Sequence, residues 1–330
     1  MSTWQFYTMG FVTQTFSRLR MDMVCLLPIC FRLSPGHEIV GRALRVGKNA
    51  QNKFKIGDII GLGPLCYACG ECEQCKNGDD NACAQNKMTY TFKFTDEANT
   101  TPVQHYGGFA AGLRTHHSFL VKIPGGIPLQ YVGPLLCAGV TVFAPMNQHN
   151  IKNGSVVGII GIGGLGHLAI QFAHKLGAHV IAFSRSDSKK DFALKLGADE
   201  YVNTSQKNAV DKYMRKLDML LVTGAGDSFS IEDHAPLCKP KYGRLHIVAA
   251  IGKPMEVQAM TLIMTQISIS GSAAGSTGDA EKMLIFAAEN DIKPIIETFP
   301  HTRANEALGK VRDGSIRFRA VLENDLLTVN

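Results

Sequence analysis

An α/β fold organised on a doubly wound parallel sheet is what this sequence predicts, from three successive observations. Ser155-Val-Val-Gly-Ile-Ile160 is an apolar run of strand length. It enters Gly161-Ile-Gly163-Gly164-Leu165-Gly166, and His167–Lys175 then places Leu168, Ile170, Phe172 and Ala173 at spacings compatible with a buried helix. Ala178-His-Val-Ile-Ala-Phe183 supplies a second apolar strand.

That order turns a weak glycine pattern into a dinucleotide-binding fingerprint. Gly161 permits the tight turn, Gly163 lets a pyrophosphate approach the backbone, and Gly166 lets helix and strand pack closely. The helix N-terminus then offers free N–H groups to the phosphates. The adenosine ribose belongs at the end of the second strand, where an NAD site usually carries Asp or Glu. Here the residues are Ser184-Arg185-Ser186-Asp187-Ser188-Lys189-Lys190. Arg185 and Lys189 bring positive charge and Ser184 a hydroxyl, which suits a 2′-phosphate and predicts NADP(H). The competing reading is a solvated loop with Asp187 as a displaced ribose ligand.

At 330 residues there is room for two domains of ordinary size, and 45% hydrophobic with 19% charged residues describes a globular chain. A net charge of +6 would fit nucleic acid only if it were concentrated, but Lys and Arg are scattered and no aromatic-basic module is present. No run is read as long enough to span a membrane. Met23–Phe31 is apolar but interrupted by Pro28 and has no small-residue cleavage site behind it, so a cytoplasmic protein is expected. The Arg-containing, acid-poor leader Met1–Leu33 leaves a mitochondrial presequence as the lesser alternative.

From Pro35 the pattern becomes regular. Pro35-Gly-His37-Glu38-Ile-Val-Gly41 is a turn, a histidine, a carboxylate and a strand, and Lys55-Ile-Gly57-Asp58-Ile-Ile60 is a turn into another strand. Cys69-Gly-Glu-Cys72-Glu-Gln-Cys75, then seven residues and Cys83, is the strongest motif in the chain. Four thiolates from one lobe close a tetrahedral zinc shell and fix a segment that has almost no apolar core. An iron–sulfur cluster is the competitor, and Cys66 could replace one ligand. Five of the nine cysteines fall between Cys66 and Cys83, which points to metal before disulfides. His116 and His117 are neighbours in an expected strand, facing opposite ways, and are read as surface or packing residues. Pro134-Leu-Leu-Cys137-Ala-Gly-Val-Thr141 opens a largely apolar helical segment.

In their order these motifs, with Tyr106-Gly-Gly-Phe109, resemble the zinc-dependent medium-chain alcohol dehydrogenases, and more narrowly the cinnamyl alcohol dehydrogenase branch, including fungal NADP-dependent enzymes. The resemblance runs from about Pro35 to about Glu323. It implies a β-rich, GroES-like catalytic domain over 1–138 and 289–330, with a Rossmann domain inserted at 139–288. It implies two zinc ions: a structural one on Cys69, Cys72, Cys75 and Cys83, and a catalytic one on His37 and Cys137, with Glu38 able to coordinate. Thr141, Thr223, Ala249, Ser272 and Ala274 resemble residues lining the nicotinamide half of the cofactor site, and Arg317 an arginine that approaches the cofactor. The implied reaction is hydride transfer between nicotinamide C4 and a primary aromatic or medium-chain alcohol or aldehyde, and relatives are often homodimers.

One element is missing. The family's third catalytic ligand is a cysteine about twenty residues before the histidine, followed by a Ser or Thr proton relay, yet Val12–Arg20 contains no cysteine. Cys25 and Cys30 lie too near His37 to match, and the family's opening strands are expected to be absent or replaced. A catalytically impaired nucleotide-binding protein that keeps only the structural zinc is therefore the alternative reading.

Overall fold

The structure is a computed structural model and describes residues 12–14, 36–89, 93–96, 99–104, 107–110, 112–226 and 229–324. Cys25, Cys30, Tyr106 and most of the leader lie outside the described residues. The chain divides between Val140 and Thr141 and again between Ala274 and Gly275. The second division falls ahead of the expected 288, because the Thr277–Glu289 helix is fastened to the first unit. Its Thr277 N–H and Oγ1 donate to Asp80 at 3.1 and 2.7 Å, and Lys53 pairs with its Glu281 at 2.6 Å.

In that first unit the strands are β1 (Val12–Gln14), β2 (Glu38–Arg42), β3 (Ile59–Leu62), β4 (Leu65–Tyr67), β5 (Lys87–Met88), β6 (Lys93–Asp96), β7 (Asn99–Gln104) and β8 (Leu120–Lys122). The second unit contributes β9 (Val156–Ile160), β10 (His179–Ser184), β11 (Glu200–Asn203), β12 (Met219–Val222), β13 (Arg244–Ile247) and β14 (Ser268–Gly271); β15 (Ile296–Pro300) and β16 (Arg319–Glu323) complete the first. Six of these form one sheet in the order β15-β16-β1-β2-β3-β8, and β4 with β5 and β6 with β7 make two short ribbons. Ile39, Phe54, Ile60, Leu62, Phe119 and Leu120 form the core beneath β2, β3 and β8. The leader thus supplies one strand: Val12 and Thr13 pair with Ile39 and Glu38 on one side, and Val12–Gln14 with Leu322–Ala320 on the other. The rest of the leader, on which the expectation of absent or replaced opening strands falls, lies outside the described residues.

The second unit is a six-stranded sheet in the order β11-β10-β9-β12-β13-β14, parallel at every pair. This doubly wound order reverses direction between β9 and β12, and ligands of such sheets bind beyond the carboxyl ends of the strands at that reversal. The apolar sequences follow from two-sided burial: Met219–Val222 is buried throughout, and Phe183, Leu220, Val222 and Leu245 are almost fully enclosed in one core.

Two expectations need correction. Leu129–Gln148 forms a 20-residue helical run whose most apolar 18-residue window has a mean hydropathy of 1.4, long and apolar enough by composition to cross a membrane, but 78% of that window is buried inside the protein, so it is a core helix. His116 and His117 border a 3-10 turn, His117–Phe119, and are not strand neighbours; their rings stack at 4.6 Å. Neither joins a metal-donor cluster among the described residues.

Candidate active site

In the first unit, His37 immediately precedes β2, Glu38 opens it, and Cys137 sits in a π turn, Leu135–Gly139, that follows Pro134 within the long helical run. A π turn inserts an extra residue into the helical ladder and re-aims side chains, a feature concentrated at functional sites. The result brings residues one hundred apart together: His37 Nε2 lies 3.2 Å from Cys137 Sγ. One donor atom each from His37, Glu38 and Cys137 lie within 4.8 Å of one another. A nitrogen, a sulfur and a carboxylate oxygen at that separation are a donor set that fits a divalent ion such as zinc.

Glu38 is fully buried, and its Oε1 accepts from Arg319 Nη1 at 3.2 Å. Arg319 belongs to β16, which is separated from β2 by β1, so the ion pair reaches across the strand that the leader provides. A buried carboxylate needs such a partner to remain charged at low cost. Arg319 is the site residue that sequence reading missed. Its signal was an arginine leading directly into the apolar Ala320-Val-Leu322, where a buried strand has no ordinary place for a charge.

The cysteine lobe assembles a second donor set. The sulfurs of Cys69, Cys72, Cys75 and Cys83 all lie within 4.8 Å of one another, with Cys69 3.9 Å from Cys75 and 3.6 Å from Cys83. Backbone N–H groups of Glu71 and Cys72 directed at the Cys69 sulfur lower its thiol to about 6, whereas Cys75 is pushed up to about 12 by burial and by its neighbouring thiols. Deprotonation is what a thiol must undergo to ligate a metal. Cys66 stands apart, its sulfur directed at the Lys87 and Met88 carbonyls, so the four-cysteine set is the one whose geometry fits zinc. All seven described cysteines are free thiols.

In the second unit the glycine turn lies at the carboxyl end of β9. Gly161 has φ +88°, and a Cβ there would stand 2.8 Å from Gly224 Cα, so this turn requires glycine. A Cβ on Gly166 would collide with the Gly161 carbonyl oxygen and stand 2.8 Å from Thr223 Oγ1. Thr223 ties the same point together by donating to the carbonyls of Ile160 and Gly161 at 2.9 and 2.6 Å. Gly163 faces open space: an added Cβ would meet no atom within 4 Å. That open backbone face beside the Gly166–Lys175 helix N-terminus, with Gly164 and Leu165 between, fits a diphosphate.

At the end of β10, Ser184 is half-buried and Arg185 exposed, with the guanidinium 3.4 Å from where a Cβ on Gly226 would stand. Lys189 reaches back to the glycine turn, donating to the Ile162 carbonyl at 2.6 Å. Asp187 accepts from Asn203 Nδ2 at 2.9 Å. Ala249 follows β13, its N–H bonded to Val222 O at 3.1 Å, and Ser272 and Ala274 follow β14, Ala274 with φ +54°. Thr141 is buried at the start of this unit. Arg317 is exposed and belongs to the first unit.

Comparison with known proteins completes the picture. Residues 164–289 match the family model described as zinc-binding dehydrogenase, and residues 14–125 the alcohol dehydrogenase GroES-like domain. A mannitol dehydrogenase from Petroselinum crispum is 36% identical over 297 residues, covering 89% of this chain and 85% of that one. The aldehyde reductase YahK from Escherichia coli is 36% identical over 296 residues, covering 89% and 83%. Among solved structures, a cinnamyl alcohol dehydrogenase from Sorghum bicolor superposes with a TM-score of 0.85 at 31% identity, covering 97% of this chain and 89% of that one. The CAD from Helicobacter pylori complexed with NADP(H) gives 0.84 at 26%, covering 98% and 91%.

Proposed function

Since the chain belongs to the zinc-binding alcohol dehydrogenases, we propose that it is an NADP(H)-dependent alcohol dehydrogenase or aldehyde reductase acting on primary aromatic or medium-chain substrates. The observation that carries this is the His37, Glu38 and Cys137 donor set. Bound there, zinc would supply Lewis-acid polarisation of an alcohol or aldehyde oxygen. His37 and Cys137 would hold it, while Arg319 pairs with the Glu38 carboxylate and orients it beside the ion. Gly163 and the N-terminus of the Gly166–Lys175 helix receive the diphosphate, and Arg185 with Ser184 meets the 2′-phosphate.

The purified chain with zinc and NADPH should reduce cinnamaldehyde, benzaldehyde and hexanal. Failure on all three, where a close relative succeeds, rejects the activity. Arg185→Asp tests the cofactor: it should weaken NADPH by about 1–3 kcal/mol and spare NADH, and an unchanged preference rejects the 2′-phosphate reading. The absence of cysteine from Val12–Arg20 favours the second reading, an impaired nucleotide binder with the structural zinc alone, and zinc content separates the two.

A homodimer is part of the proposal. Strand β14 is the edge of its sheet, and the adjoining Ala259–Thr265 helix exposes Met260, Ile263 and Met264 at 58%, 61% and 65%, an apolar face of the kind that self-association covers. Met260→Glu with Ile263→Asp should give a monomer by light scattering; an unchanged mass removes this face from the proposal. A cytoplasmic location is the further part, supported by the free thiols.

A further inference from the structure

His246 is the third residue of β13, only 2% exposed, and paired in register with Ser270 of β14. Its two ring nitrogens face two hydroxyls on the adjacent strand and its exit: Nδ1 lies 2.8 Å from Ser270 Oγ and Nε2 2.9 Å from Ser272 Oγ. Both hydroxyls therefore share one imidazole. A neutral imidazole has one N–H and one lone pair, so one serine must accept and the other donate, and neither hydroxyl rotates freely. Ser272 is further held by its own N–H, bonded to Ile247 O at 3.3 Å.

The place of this pair in the sheet gives it meaning. Ser272 leaves β14 at the carboxyl end of the parallel sheet, the end that also carries the glycine turn after β9, Thr223 after β12 and Ala249 after β13. A hydroxyl held in place at that end, with one hydrogen bond committed to the imidazole, offers a ligand a defined partner, which a freely turning one does not.

We propose that His246 is a positioning residue for the nicotinamide half of the cofactor: through its bridge to Ser270 and Ser272 it holds the Ser272 hydroxyl in place toward the nicotinamide amide. This rests on the reading of Ser272 as a cofactor residue. His246 touches no ligand itself. Its effect is confined to one half of the dinucleotide, because the adenosine half is served by Arg185 and Ser184 at the end of β10.

The test compares two ligands on the full chain by titration calorimetry: NADPH, and 2′,5′-ADP, which carries the adenosine half alone. His246→Leu should raise the NADPH Kd roughly tenfold, as loss of an ordered hydrogen bond does, and leave the 2′,5′-ADP Kd within about twofold. Unchanged 2′,5′-ADP binding also shows that the variant is folded. His246→Gln, which retains one donor and one acceptor near the same point, should recover most of the loss. Equal weakening of both ligands, no weakening of either, or Gln behaving like Leu overturns the proposal. A wild-type chain that binds neither ligand overturns the cofactor reading beneath it.

Discussion

Replacing Arg319 by Met removes a buried guanidinium while keeping an unbranched side chain in its place, and so removes the Arg319–Glu38 ion pair. Glu38 is 0% exposed and Arg319 4%, so neither charge has water to fall back on. At a separation of 3.2 Å an effective dielectric of about 20 gives an attraction of roughly 5 kcal/mol before desolvation is charged against it. Breaking one side of such a pair costs about 3–5 kcal/mol, since the remaining charge stays buried. Removing both sides is much gentler. Urea denaturation at neutral pH should therefore show Arg319→Met losing about 3–5 kcal/mol, with Glu38→Gln/Arg319→Met less destabilised than the sum of the singles by more than about 1 kcal/mol. An Arg319→Met loss below about 0.5 kcal/mol, or simple additivity, would refute the ion pair as the support of Glu38.

Other outcomes follow from the same geometry. Gly166→Ala drives a Cβ into the Gly161 carbonyl oxygen, so dinucleotide binding by calorimetry should fall at least tenfold, the turn having to open by more than about 1.4 kcal/mol; wild-type affinity would show that the turn is not the binding element. Burial holds His246 neutral, down to about 4 from an ordinary 6.5, helped by the charges of His149 and Arg244. The unfolded chain takes up that proton first, so stability is level above pH 6.5 and falls by up to roughly 3 kcal/mol as the pH drops toward 4. Thermal melts should show that loss shrinking in His246→Gln, and an identical pH profile would contradict it. Cys72→Ser should release the lobe's zinc and open 69–83 to protease while the second unit stays folded; an intact lobe would mean that the cysteines do not hold it together.

Much of this was legible in the chain because short-range chemistry wrote it there. The turn at Gly161–Gly166 must be glycine wherever a side chain would strike Gly224 or the Gly161 carbonyl, and the buried strands β9, β10 and β12 must be apolar on both faces, so both announce themselves. The cysteine lobe is equally explicit, since its ligands come from one stretch. What stayed hidden depends on long-range pairing. Arg319 meets Glu38 from across 281 residues, and only the sheet order brings them together. The full extent of Leu129–Gln148 as one helical run is hard to see in the sequence, because Pro134 and Pro145 interrupt the pattern that proline-free helices show, whereas the structure carries it through with a π turn. Helix Thr277–Glu289 follows the last parallel strand in sequence, and only Asp80 and Lys53 show to which unit it is fastened.

The central claim is that His37, Glu38 and Cys137 hold a metal ion separate from that of the cysteine lobe, and zinc content per chain tests it most directly. Two zinc ions in the wild-type protein, falling to one in His37→Ala with the fold retained, is the result expected. One zinc ion in both proteins would contradict the account, leaving a lobe-stabilised nucleotide binder in place of a dehydrogenase.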